Sequence, residues 1–224
     1  MIEQKSTPVG PPPSLRPVRG AARCAVAALV LAGVVWVARA LWEIRLAAAG
    51  EPASGPPDQG GGVHRPPNTL EDSYHLVTSV GGAVTAVCAI VFLLWLDRMR
   101  DNATALSGEA PRYGYGWLWV GWIVPVMNLW IPRGLVADVH RSVFPERRLP
   151  AVVNWWWGLW LAGLAGGVGI VYADDTDEII ARAYDGVLPL LGADLVIVAA
   201  AGAAALMVHR LTTAQQEHIA AKGY

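Results

Sequence analysis

Asp194 is the side chain of this sequence whose position most suggests chemistry, because it is the one acid inside a long apolar run, 187–208. A carboxylate at membrane depth costs on the order of 2.5–3.5 kcal/mol on insertion scales. Such a group either serves as a proton or ion site or fixes helix packing through a polar partner at similar depth. Arg39 is the expected partner in a packing role, with Ser79 and Thr85 as alternatives.

Other groups that could titrate or bind a metal favour structural roles. The acids Asp174, Asp175, Asp177 and Glu178 resemble a cation-binding cluster, but Ile179 breaks the pattern of a calcium loop and favours the first turn of a helix. His140 could change charge near neutral pH, yet we expect it to be solvated or to face headgroups. Cys24 and Cys88 lie in apolar runs and are expected to be buried small hydrophobic residues.

No catalytic motif is present in the sequence. It contains no H-E-x-x-H, no G-x-S-x-G, no phosphate loop and no cysteine beside a plausible base. The net charge of −1 lacks the basic face that nucleic acid requires. We therefore predict a protein that is not an enzyme, uses no cofactor and binds no nucleic acid.

The composition is typical of an integral membrane protein. Hydrophobic residues make up 54% of the chain and charged residues only 16%, against about 25% charged in an average soluble domain. The predicted organisation is a disordered Pro-rich cytoplasmic tail (1–20), a first transmembrane helix (21–42), an extracytoplasmic Gly/Pro-rich linker (43–69), a membrane core (70–212) and a cytoplasmic tail (213–224).

The first apolar segment has a rival interpretation. A cleaved signal peptide would end near Ala47 or Ala49, although the residues before the apolar stretch are many for a signal sequence. The second span lies within a longer predicted helix, with an N-cap at Thr69 and an end near Leu106. At 1.5 Å per residue this helix is on the order of 55 Å long and must project into water. Two further spans are expected over 151–172 and 187–208.

The distribution of arginine and lysine decides how the Trp-rich segment 113–131 is interpreted. If this segment crosses, giving five spans, the basic residues divide into 8 inside and 9 outside. If it enters and leaves by one face, giving about four spans, 13 lie inside and 4 outside. The positive-inside rule favours the second arrangement, with both termini cytoplasmic in the cell membrane.

The residues from Tyr113 to Phe144 fit a re-entrant or interfacial helical hairpin. Pro125 and Pro132 each remove a helical donor, and Pro132 suits the first turn of a new helix. From Pro132 onward Leu135, Val136, Val139 and Val143 share one face, with Arg133, Asp138 and Arg141 off it. Nine of the eleven tryptophans fall at or near the inner interface in this arrangement.

The segments WLDRMRDNATALS, RYGYGW, WIVPVMNLWIPRGLVADVHRS and NWWWGLW resemble an actinobacterial family of membrane proteins catalogued as domain of unknown function 4328. The resemblance covers roughly residues 86–213, and His140 departs from it because relatives tend to carry tryptophan there. It implies these signature positions: Arg98, Asn102, Trp122, Pro125, Asn128, Trp130, Pro132, Arg133, Asp138 and Ser142. The family carries no established activity.

Two functions from different classes follow. The first is a non-catalytic structural or regulatory membrane module that binds a protein partner or lipid headgroups through the inner hairpin, with Arg141 joining the signature residues as a candidate interaction surface. The second is a small transporter or channel component whose pathway passes Asp194, paired with Arg39.

Overall fold

Regular structure in the described part of the chain is helical. A computed structural model describes residues 14–50, 68–165, 184 and 186–223, and these residues contain no strand. The helices are α1 (Arg19–Ala49), α2 (Thr69–Ser107), α3 (Tyr115–Val120), a 3₁₀ turn (Met127–Leu129), α4 (Ile131–Val143), α5 (Ala151–Ala165) and α6 (Val187–Ala221). The prediction of an all-helical chain is confirmed for these residues.

Three helices, α1, α2 and α6, are long and apolar enough to cross a membrane. Their outer faces expose large apolar side chains, among them Val30, Leu31, Val34, Val80, Val87, Ile90, Leu195 and Leu206. Such faces are compatible with contact to lipid. The predicted span 151–172 is described only as far as Ala165, and the acidic run 174–178 lies outside the described residues.

The first two long helices differ from the predicted boundaries. Helix α1 continues to Ala49, so residues 43–49 are helical rather than part of the linker. The N-cap of α2 is Asn68, not Thr69: the Asn68 side chain accepts from the backbone N–H groups of Leu70 and Glu71, and the Glu71 carboxylate accepts from Asn68 N. Asn68 rather than Thr69 is the N-cap because glutamate follows Asn68 by three positions and completes a capping box.

Helices α2 and α6 both extend beyond the apolar runs. Helix α2 has 39 residues, about 58 Å at 1.5 Å per residue. It ends at Ser107 and is capped by Gly108, whose φ of 71° is left-handed. Helix α6 continues to Ala221, so most of the predicted tail 213–224 is helical. Within that extension Gln215 is buried and donates from Nε2 to the carbonyl of Met99 at 3.0 Å.

The long helices form a bundle in which α1 packs along α2 and α6, and α5 packs along α6. The end at which α1 begins is called the proximal end, and there α2 and α6 finish. Arg19 Nε donates to Gln216 Oε1 at this end. At the opposite, distal end α1 finishes and α2 and α6 begin, and Leu46 and Tyr74 are fully buried with Leu190 packed against them.

The segment from α3 to α4 lies at the proximal end. Helix α4 packs mainly on α2, and its buried face carries Leu135, Val136, Val139 and Val143, the four residues predicted to share a face. Pro132 occupies the first turn, as predicted. Helix α5 then starts beside α4 and packs against α6, with Gly163 against Ile197, so that it leads away from the proximal end.

Candidate functional site

The proximal end of α2 holds the chain's own amino-terminal segment. Asn102 is fully buried; its Oδ1 accepts from Arg16 N at 2.7 Å and its Nδ2 donates to Arg16 O at 2.9 Å. The Arg16 guanidinium donates to Asp101 and, at 3.3 Å, to Asp97. Arg98 Nη1 donates to Pro17 O at 3.1 Å. We call these four residues of α2 the tail seat: Asp97, Arg98, Asp101 and Asn102.

In the same turn of α2, Arg100 anchors the loop that follows the helix. Its guanidinium is buried and donates to the carbonyls of Tyr113 and, at 3.4 Å, Gly114. A charged donor on neutral carbonyls makes a strong hydrogen bond. In the sequence, Arg100 counts only as one of the basic residues on the inner side. Its position two residues after Arg98 does not predict that it binds the loop carbonyls.

Helix α4 is tied to the same loop by one predicted signature residue, Asp138, whereas a second, Ser142, bonds within the helix. Asp138 Oδ2 accepts from Arg112 N at 3.0 Å, and Ser142 Oγ donates to the carbonyl of Asp138 at 2.9 Å. Gly134 lies directly under the Tyr113 hydroxyl, where a Cβ atom would clash. These contacts hold the beginning of the 113–144 segment against the middle of its last helix.

An aromatic cluster fixes the middle of that segment to α2 and α5. The Trp122 ring lies 5.7 Å from Phe92, 6.2 Å from Trp156 and 6.0 Å from Trp160, centroid to centroid. Phe92 is ten residues before Asn102 in α2, so this cluster is about 15 Å nearer the distal end than the tail seat. The segment therefore reaches well into the bundle before it returns.

The signature residues divide by burial. Asn102, Asn128 and Pro132 are buried, and Asn128 Oδ1 has no donor among the described residues. Exposed instead are Pro125 and Trp130. Beside them Ile123 and Val126 are 74% and 60% exposed, which makes the turn of this segment an apolar surface.

The arginines of α4 and the loop after it form the cationic part of this end. Arg133 donates from Nε and Nη2 to Asn154 Oδ1 at 3.1 and 2.7 Å, while Arg141, Arg147 and Arg148 are exposed. Among the described residues no carboxylate lies within 4.0 Å of these four guanidinium groups. We call Arg133, Arg141, Arg147 and Arg148 the arginine surface. Asn154 was not predicted as a site residue, although it opens the segment NWWWGLW that carries part of the family resemblance.

His140 is buried, so the expectation of a solvated or headgroup-facing imidazole is wrong. The side chain lies in a cleft of ≈ 10 Å³ with Met99, Phe144, Leu211 and Gln215 among its walls. Its Nδ1 has no partner among the described residues. Burial lowers the pKa of His140, and the neighbouring charges of Arg147 and Arg141 lower it further.

The distal end contains a second polar constellation, centred on Asp194. Glu43 Oε1 accepts from Arg39 Nε and from the Tyr74 hydroxyl, both at 2.9 Å, and Arg39 Nε also donates to the Tyr74 oxygen at 3.2 Å. Arg39 Nη1 lies 3.9 Å from Asp194 Oδ1, an ion pair longer than a hydrogen bond. We call Arg39, Glu43, Tyr74 and Asp194 the distal cluster.

The distal cluster contains the predicted pair and two residues that the sequence analysis missed. Glu43 and Tyr74 are fully buried, and Asp194 is 1% exposed. The available signal for Glu43 was its i,i+4 spacing from Arg39 on a helix. Thr85, an alternative partner of Asp194, instead accepts from Trp36 Nε1 at 3.3 Å. Cys88 is buried as expected, whereas Cys24 is exposed on α1.

Among the described residues no group of three or more histidine, cysteine, aspartate or glutamate side chains could hold a metal ion. The family model described as "Domain of unknown function (DUF4328)" matches residues 67–213. That range includes the tail seat, the arginine surface and two members of the distal cluster, Tyr74 and Asp194. No curated protein and no solved structure matches the chain.

Proposed function

We propose that this chain, which belongs to the DUF4328 family, is a non-catalytic regulatory membrane module that binds anionic lipid headgroups at its proximal end. The observation that carries the proposal is the arginine surface: four cations without a carboxylate partner among the described residues, beside an exposed apolar turn. At a membrane surface the arginines would contact the anionic headgroups and the apolar turn would contact the acyl chains. The resemblance of the sequence further suggests an actinobacterial source.

The proposed topology has four crossings, with the proximal end and both termini on the cytoplasmic side of the cell membrane. Two contacts support a re-entrant path for the 113–144 segment. Arg112, the residue before the segment, donates its backbone N–H to Asp138 of α4. Phe144 at the end of the segment meets His218 of α6 edge to face, with ring centroids 5.2 Å apart. Helix α3 has only 6 residues, about 9 Å at 1.5 Å each, too short to cross.

Cysteine labelling tests this topology. In a background without Cys24 and Cys88, a cysteine in place of Glu146 is expected to stay unreactive to an impermeant maleimide in intact cells, because Glu146 would be cytoplasmic. It should react after the cells are opened. Reaction in intact cells would support the five-span alternative instead.

Headgroup binding is tested with the full chain by native mass spectrometry, titrating phosphatidylglycerol against phosphatidylcholine. Each cation near an anionic surface contributes about 1 kcal/mol, so the triple variant Arg141→Ala, Arg147→Ala, Arg148→Ala should bind phosphatidylglycerol on the order of 100-fold more weakly. Arg133 is left intact because it also holds Asn154. Binding of phosphatidylcholine should not change.

A matched control comes from the distal end. Arg45 is exposed and stacks over Trp42 at 5.1 Å, so Arg45→Ala makes the same charge change as Arg141→Ala on the other side. Only the Arg141 variant should lose affinity, by about fivefold. Equal binding of the two lipids by the unaltered protein would refute the lipid proposal and leave a protein partner as the occupant of this surface.

A second candidate function, an ion or proton pathway through Asp194, is favoured by the burial of this carboxyl group in α6 beside Arg39. An ionisable residue within a span marks a pathway in many transporters. Proton flux into liposomes measures this function directly. A flux that depends on the protein and is abolished by Asp194→Asn would favour the pathway over the regulatory module.

A further inference from the structure

The carboxyl groups of the distal cluster outnumber its cations. Glu43 and Asp194 supply two carboxyl groups, and Arg39 supplies the one guanidinium that faces them. Tyr74, on α2, contributes a hydroxyl to Glu43. The described part of α5, which also packs on α6, contains no titratable side chain. With both carboxyl groups ionised, the cluster would hold a net charge of −1 in a site closed to water.

The hydrogen bonds of the cluster show the same imbalance. Glu43 Oε1 accepts two hydrogen bonds, yet Glu43 Oε2 and both oxygens of Asp194 have no donor among the described residues. Both carboxyl groups face the same guanidinium: Arg39 Nε lies 2.9 Å from Glu43 Oε1, and Arg39 Nη1 lies 3.9 Å from Asp194 Oδ1. Two carboxylates cannot bond to each other, because neither has a hydrogen to donate.

One added proton removes both defects. Placed on Asp194 or on Glu43, it makes one carboxyl group a donor to the other and leaves a neutral set of one guanidinium, one carboxylate and one carboxylic acid. Two like charges in close contact favour such sharing of a single proton. We propose that the distal cluster is a proton-binding site in which Glu43 and Asp194 share one proton at neutral pH, with Arg39 balancing the remaining charge.

The direction of the pH dependence follows from this composition. The folded cluster holds a proton that the same carboxyl groups release to water in the unfolded chain, so the folded state binds more protons. Stability therefore falls as pH rises until the cluster itself loses the proton, and stays level above that point. This behaviour is independent of the arginine surface, which lies at the other end of the bundle, so headgroup binding and proton binding can fail separately.

The test compares the full-length protein with Asp194→Asn, which imitates the protonated acid. Thermal unfolding in detergent from pH 5 to pH 9 should give a difference in Tm, unaltered protein minus variant, that declines with rising pH. The infrared spectrum of the unaltered protein at pH 7 should contain the carbonyl stretch of one protonated carboxyl group. This band should be absent from the spectra of Asp194→Asn and Glu43→Gln, so subtracting either variant's spectrum should reveal it. A pH-independent difference in Tm, or no such band, would overturn the proposal.

Glu71→Gln is the matched control. Glu71 is an equally buried carboxyl group at the same end, but it accepts from Asn68 N and from the Tyr184 hydroxyl. The infrared band and the declining Tm difference should survive in this variant, and their loss would contradict the assignment to Glu43 and Asp194. Sodium or potassium ions, added at pH 9, should not raise the Tm; a rise abolished by Asp194→Asn would identify a metal cation as the ligand instead.

Discussion

Replacing Asn102 by alanine should release the amino-terminal segment from the tail seat. The side chain makes two hydrogen bonds to the backbone of Arg16, at 2.7 and 2.9 Å, from a fully buried position. A typical hydrogen bond contributes about 0.5–1.5 kcal/mol net, so the loss of both should cost about 1–3 kcal/mol. Since 1.4 kcal/mol is tenfold in an equilibrium constant, the segment should open roughly 5- to 150-fold more often.

The ion pairs of Arg16 provide the comparison. Its side chain is about half exposed, and it bonds to Asp97 and Asp101 at the protein surface. Exposed pairs contribute little to stability and are screened by salt. Arg16→Ala should therefore have the smaller effect, and that effect should disappear in high salt while the effect of Asn102→Ala persists.

Hydrogen exchange measured by mass spectrometry on the amides of residues 14–16 and 18 reports the opening directly, because Arg16 N–H is one of the bonded groups. Asn154→Ala is the control, since Asn154 is also an asparagine at the proximal end but holds Arg133. It should leave exchange at residues 14–18 unchanged. An Asn102→Ala variant with unaltered exchange, or a larger effect of Arg16→Ala at high salt, would refute the reasoning.

Three further predictions concern the same end of the bundle. Burial lowers the pKa of His140 below the value near 6.5 of an unfolded histidine, so at acidic pH the unfolded chain binds a proton that the folded chain does not. Stability should therefore fall as pH drops below about 6.5. His140→Gln should reduce that fall in thermal unfolding. Gly134→Ala should lower stability by about 1–3 kcal/mol because its Cβ would press on the Tyr113 hydroxyl and on the ring carbon that carries it. The double variant with Tyr113→Phe should recover only part of this loss, since Cζ would still lie 2.8 Å from the added Cβ; full recovery would assign the clash to the hydroxyl alone, and no recovery would contradict a clash with the hydroxyl. Thr212→Val should cost about 1–3 kcal/mol by leaving the buried Trp95 Nε1 donor, now 2.9 Å from Thr212 Oγ1, without an acceptor, whereas Thr212→Ser should be near neutral if the bond rather than packing matters.

The elements of this fold follow closely from the sequence where one physical signal dominates. Long apolar runs predict α1, α2 and α6, and the spacing of Leu135, Val136, Val139 and Val143 predicts the buried face of α4. The family resemblance is confirmed by the match over residues 67–213. In each case local hydrophobicity or a long sequence motif is enough to predict the feature.

The polar contacts needed information that no local pattern contains. His140 lies on the same helical face as Val136 and Val143, but a histidine side chain is expected to face water or headgroups. Asn102 bonds to a residue 86 positions away in the chain, and Glu43 was assigned to the linker because the apolar run stops at Trp42. Burial of a polar side chain depends on its partner, and the partners Arg16 of Asn102 and Tyr74 of Glu43 come from distant parts of the chain.

The continuity of α2 has a consequence for how the two ends of the molecule are related. Tyr74 of the distal cluster and Asn102 of the tail seat belong to one helix without a proline, about 42 Å apart at 1.5 Å per residue. Such a rod can bend, but its rise per residue is fixed by its hydrogen bonds. A shift of Tyr74 along the helix axis is therefore carried to the residues beside Arg16. In the proposed topology, α2 would carry a change of charge at the distal cluster across the bilayer without opening a path for any ion.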